Sequence, residues 1–108
     1  MAQDFERYIQ RNVGTSAVTV HTSNSDDAII SIRCANTTTS TINIDVFIND
    51  GSNDYYLIKN CPIVSGGSLE LIDGGSKIVM HNNDILKAQS DTASSLDVWA
   101  SFVDAIST

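Results

Sequence analysis

The groups in this 108-residue chain that could do chemistry are two histidines, two cysteines and 13 acidic residues. His21 and His81 each have an acid within a few positions, the pairing that acid–base catalysis or a metal centre would use. No serine or cysteine stands in a nucleophile motif such as G-x-S-x-G, so both histidines read as surface or strand-end residues. Cys34 and Cys61 form neither a C-x-x-C pair nor a zinc spacing. Cys34 ends an apolar stripe with Ile30 and Ile32 and reads as a small core residue. A disulfide between the two is geometrically conceivable; without a secretion signal, reduced thiols are the default. Asn49-Asp50-Gly51-Ser52-Asn53-Asp54 carries the oxygen ligands that calcium takes. It lacks the EF-hand order and its distal glutamate, and the same residue types build turns. Asp26-Asp27 and Asp73-Gly74-Gly75 read the same way. Gly66-Gly67 and Gly74-Gly75 do not lead into a helix with a lysine, as a phosphate cradle would. The reading is therefore no catalytic residue, no metal and no cofactor.

Aromatic residues carry the stronger signal. Phe47, Tyr55 and Trp99 fall out of phase with the apolar stripes of their own segments, and aromatics on a nominally wet face mark a contact surface. Phe5, Tyr8 and Ile9 stand at i, i+3 and i+4, which predicts a helix of about two turns with Asp4 as its cap. Such a helix is too short to hold alone in water. Residues 1–14 are therefore expected to form a short helix or arm that latches onto a neighbour. The predicted partner-binding residues are Phe5, Tyr8, Ile9, Phe47, Tyr55 and Trp99.

The elements that position these residues are strands. Ile42, Ile44, Val46 and Ile48 alternate with Thr41, Asn43, Asp45 and Phe47, and period two means one apolar and one mostly wet face. The run stops at Asn49-Asp50-Gly51, a hairpin signal because glycine tolerates the positive φ of a tight turn. Further short strands are predicted over 17–21, 28–36, 54–60, 69–72, 77–80, 85–89 and 96–103, with Pro62 interrupting after 54–60. In 28–36, Ile30, Ile32 and Cys34 are placed on one face and Ile29, Ser31 and Arg33 on the other. Turn signals arrive about every ten residues, the rhythm of a sandwich or barrel. The expected fold is all-β: an antiparallel two-sheet sandwich of about eight short strands over 15–108, immunoglobulin-like or jelly-roll.

The bulk numbers agree. The length predicts one domain. A net charge of −7 argues against nucleic acid, which wants basic patches, and against anionic membranes. No apolar run approaches a membrane span, and the charged start is unlike a signal peptide.

Several segments together resemble a known family. They are Tyr56-Leu57-Ile58-Lys59-Asn60-Cys61-Pro62-Ile63, then Gly66-Gly67-Ser68-Leu69-Glu70-Leu71-Ile72, and Gly74-Gly75-Ser76-Lys77-Ile78-Val79-Met80. Asn83-Asp84-Ile85-Leu86-Lys87, the ending Ser94-Ser95-Leu96-Asp97-Val98-Trp99-Ala100-Ser101 and the opening Arg11-Asn12-Val13-Gly14-Thr15-Ser16 complete the pattern. The order is similar to that of small all-β virion structural proteins of tailed bacteriophages, especially contractile-tailed phages of marine cyanobacteria. Met80-His81-Asn82-Asn83-Asp84 departs from it, where an acid and a glycine are expected before the aspartate, and the tail 102–108 has no counterpart.

The resemblance implies a non-enzymatic building block of the virion, assembled in the host cytoplasm. It would dock on a larger tail, neck or capsid protein, with the tail side slightly favoured, and would be present in many symmetric copies. Its partners would be other phage structural proteins and copies of itself. The alternative is a carbohydrate- or receptor-binding sandwich, with Trp99 or Tyr55 stacking on a sugar and an Asp-rich loop holding calcium.

Overall fold

Alternation along the striped segment becomes strand geometry: Ile42, Ile44 and Val46 are fully buried while Asn43 between them is exposed. The computed structural model describes residues 4–72 and 77–104. These form nine strands, β1 (Asp4–Val13), β2 (Val18–Thr22), β3 (Asp27–Asn36), β4 (Ile42–Asn49), β5 (Asp54–Ile63), β6 (Ser68–Glu70), β7 (Ile78–Met80), β8 (Ile85–Ser90) and β9 (Leu96–Asp104). No helix occurs among the described residues. The turn expected at Asp73-Gly74-Gly75 lies outside them, as does the end of the chain beyond Asp104.

The strands form two antiparallel sheets. One runs β1-β9-β3-β6, with β7 pairing the same edge of β3 further along; the other runs β2-β8-β4-β5. If β6 and β7 are counted as one broken edge strand, the sheets read 1-8-3-6 and 2-7-4-5. That order is a jelly roll, which decides between the two topologies that the sequence leaves open. All links but the β4–β5 hairpin and the β6–β7 link cross between sheets, so each face is closed by residues distant in the chain. Phe102, Ile29, Ile32, Ile42, Ile44, Met80, Leu86 and Leu96 fill the layer between the sheets. Each such side chain contributes about 1.5–3 kcal/mol by leaving water.

Three local expectations are corrected. Residues 4–9 are not helical: they lie in β1, paired with β9 from Asp4↔Asp104 to Val13↔Leu96. A ladder of eight paired positions outweighs the helix spacing of three side chains, because local preference yields to tertiary pairing. Next, a register shift lies between Ile29 and Ser31 on β3. This β-bulge turns Ile29 inward, against Phe102 in register, so Ile29 joins Ile32 and Cys34 in the core. One extra residue changes the face of everything before it. Finally, Pro62 does not end β5, which runs on to Ile63 with Asn43↔Pro62 in register. β5 is the outer edge of its sheet, and an edge strand accommodates a residue without an N–H.

Two polar residues hold the ends of the roll. Asn36, buried at the end of β3, donates from its side-chain amide to the carbonyls of Ser40 at 2.8 Å and Ile63 at 2.9 Å, and its Oδ1 accepts the Thr38 N–H at 2.8 Å. It clasps the β3–β4 link to the end of β5. At the opposite end Gly51 takes φ 100° in the β4–β5 turn, where Asp50 accepts the N–H groups of Ser52 at 3.0 Å and Asn53 at 2.8 Å. Those two bonds hold the Asp50 carboxyl below the usual carboxylate range.

Candidate functional site

The outer face of the β1-β9-β3 sheet is built by alternation. On β1 the outward positions are Phe5, Arg7, Ile9 and Arg11, and on β9 the register sets Val103, Ser101 and Trp99 beside the first three. Arg33 of β3 lies on the other side of Trp99. The result is an apolar and cationic surface centred on Trp99, with Phe5 81% exposed and Trp99 49% exposed. The Arg7 guanidinium lies over the Trp99 ring, 5.1 Å from its centroid, a contact worth about 0.5–1 kcal/mol at an exposed site. Arg33 reaches Glu70 at 3.8 Å but keeps 59% of its side chain exposed, so this ion pair contributes little. Beside Trp99 a depression of about 420 Å³ is lined by Ile9, Arg11, Arg33, Ala35 and Asp97 among others.

Two carboxylates shape this face. Asp97 accepts the Asn12 N–H at 3.1 Å, and Asn12 takes φ 55° at the register shift between Gln10 and Val13. That contact fixes the bend by which β1 leaves β9. Glu70 accepts the Ser31 hydroxyl at 2.8 Å and the Ile32 N–H at 2.9 Å. It thereby satisfies the edge of β3 where β6 ends, and anchors the carboxylate that faces Arg33.

The structure separates the six residues singled out in the sequence. Phe5, Ile9 and Trp99 share the face just described. Tyr8 points the other way: it stacks on His21 with centroids 3.7 Å apart and meets Phe102 edge-on at 5.2 Å. A helix would have grouped Phe5, Tyr8 and Ile9; a strand puts Tyr8 on the opposite side. Phe47 does sit on the outer side of its sheet, yet it is only 4% exposed. It lies in register between Tyr56 and Lys87, 5.0 Å from the Tyr56 ring. Tyr55 is exposed at the hairpin end of the other sheet. Arginines 7, 11 and 33 were not singled out. The signal was the alternation of Phe5, Arg7, Ile9 and Arg11, which matches a strand as well as Phe5, Tyr8 and Ile9 match a helix.

A second polar cluster gathers at the β2–β3 turn. Asp27 is 1% exposed and accepts from Ser23 Oγ at 2.7 Å and His21 Nε2 at 3.0 Å on one oxygen, and from Ser25 Oγ at 3.2 Å on the other. Serine, histidine and aspartate are all present, but the aspartate is the bridge. In a nucleophilic triad the histidine must contact the serine to take its proton. This cluster instead compensates a buried acid. His81, fully exposed, meets Asp26 at 2.9 Å, a hydrogen bond that raises its pKa. Cys34 and Cys61 are free thiols on different sheets. Burial pushes the Cys34 thiol up to about 12, which makes it a poor nucleophile. Among the described residues no group of three or more histidines, cysteines or acids could hold a metal ion.

No protein-family model matches the chain, and no curated protein matches it in sequence. Solved structures share its fold. A chain in the acidic stable capsid structure of Helicobacter pylori bacteriophage KHP30 is 10% identical with a TM-score of 0.62, over 97% of this chain and 90% of that one. A protein of the Bacillus endospore appendages, a family of disulfide-linked pili, is 15% identical with a TM-score of 0.54, over 94% of this chain and 84% of that one. A pentameric capsid protein isolated from metagenomic phage sequences is 16% identical with a TM-score of 0.51, over 94% of this chain but 64% of that longer one. At these identities the likeness is one of fold.

Proposed function

We propose that this protein is a non-enzymatic structural subunit of a phage particle, present in many copies and joined to its neighbours through the Trp99 face. That exposed apolar and cationic face is the observation that carries the reading, because such a patch on a small domain marks a contact surface. The fold likeness supports the kind of assembly. Its neighbours include a phage capsid chain and a pentameric phage capsid protein, which favours the capsid over the tail or neck as its position. Docking on a larger shell protein, with assembly in the host cytoplasm, is part of the same proposal. A module that repeats by symmetry needs only a modest interface per copy, since repetition multiplies the grip.

The pilus neighbour supports a second reading, a filament subunit outside a virion. The carbohydrate-binding alternative is weakened because Arg7 already lies over the Trp99 ring, where a sugar would stack. The experiment is quantitative mass spectrometry of gradient-purified particles from the source of this sequence. The chain is expected in the particle fraction at many copies per particle. Its absence from that fraction, or its recovery with shed filaments, overturns the virion reading.

A further inference from the structure

We propose that copies of this chain join head to tail, the acidic end of one jelly roll seating on the Arg–Trp face of the next. This deepens the reading of the chain as a repeated subunit, and rests on it. The chain carries a net charge of −7, yet every arginine it has, Arg7, Arg11 and Arg33, belongs to the single sheet face around Trp99. Asp97 and Glu70 border that face, but a larger group of the chain's acids gathers at one end. Asp4 and Asp104 are in register at one end of the long sheet, and the Ser25 hydroxyl joins Asp104 to the β2–β3 turn that carries Asp26. The Ser23 N–H donates to the Asp84 carbonyl at 2.8 Å, which brings the β7–β8 turn to the same end. Asn49 is in register with Ile85 on one side and Asp54 on the other, so the β4–β5 turn with Asp50 projects there too. The molecule is elongated, 45 × 29 × 20 Å, and thus has an acidic tip and a cationic, aromatic flank.

A face of guanidinium groups around a tryptophan selects an acidic surface, by charge complementarity and by forked hydrogen bonds to carboxylates. This chain supplies such a surface on every copy. Because the two patches are different, the contact is heterologous. It propagates, closing into a ring where the rotation allows and running on as a filament where it does not.

Sedimentation velocity of the full chain tests this with two charge-reversed variants. The face variant is Arg7→Glu with Arg33→Glu. The end variant is Asp4→Lys with Asp54→Lys. All four positions carry exposed side chains, and far-UV circular dichroism checks that each variant keeps the wild-type β spectrum. Wild-type protein is expected to assemble beyond a dimer at low salt, with association weakened at least about tenfold in 0.5 M salt by screening. Each variant alone is expected to be monomeric. An equimolar mixture of the two is expected to associate again, since it contains one intact face with one intact end, and the reversed face and reversed end are themselves opposite in charge. The inference is overturned if wild type stays monomeric, if folded variants assemble as wild type does, or if the mixture does not associate. Should either variant misfold, a wild-type association indifferent to salt overturns it alone. Assembly that ignores the substitutions leaves the structural-subunit reading standing, whereas absence from particles defeats that reading whatever sedimentation shows. A face that grips only an acidic patch of another protein gives monomeric wild type, and so counts against the inference.

Discussion

Asp27 is an acid buried to 1% exposure, and its neighbours must compensate that cost. His21 supplies one of its hydrogen bonds and also stacks on Tyr8. His21→Ala is expected to lower unfolding stability by about 3 kcal/mol, the cost of breaking a buried pair from one side, read as a shift in the urea midpoint at constant slope. An unchanged midpoint would mean that the serines suffice. His81 behaves differently because it is fully exposed. The Asp26 carboxylate raises its pKa above the ordinary 6.5. A raised histidine adds stability below its unfolded value and loses it as pH rises through its folded value. The exposed site keeps that contribution small. NMR titration should place His81 above 6.5, and Asp26→Asn should return it toward 6.5. His21 pairs with an acid only six positions away, within the local window that the sequence offered, whereas the His81 pairing was not legible, since Asp26 lies 55 positions from it.

Strands were the most legible elements, because each writes its buried face into its own residues at period two. Eight of the nine could be placed from that pattern and its turns. β1 could not, since Phe5, Tyr8 and Ile9 satisfy the helix template while Phe5, Arg7, Ile9 and Arg11 satisfy the strand template. What decides is β9, some 90 residues away in sequence register, which no local window contains. The bulge at Ile30 was hidden for the same reason, as two-against-one pairing is a property of both strands. β1 is also where an element-scale prediction belongs. It covers the edge of β9, and Tyr8 packs from it onto the core. Deleting residues 1–12 should therefore do more than remove a docking arm. Such a truncation is expected to unfold at markedly lower denaturant and to bind a hydrophobic dye through the uncovered Phe102 region. Native-like stability in the truncated chain would show β1 to be a detachable latch.

At the scale of the whole molecule, a jelly roll gathers distant residues on one surface. The candidate face takes Arg7 from β1, Trp99 from β9 and Arg33 from β3, so the outward phases of Trp99 and Arg33 could be read beforehand but not their meeting. The acidic end is assembled likewise from the start of β1, three turns and the end of β9. The sequence showed the excess of acid but not the gathering of one group of acids at an end away from the arginines, and that asymmetry gives a featureless brick a direction. Electron microscopy of concentrated wild-type protein at low salt examines this most directly. Rings or filaments in which every copy points the same way are the expected result. Two-fold dimers that bury Trp99 against Trp99, or a field of single molecules, would contradict it.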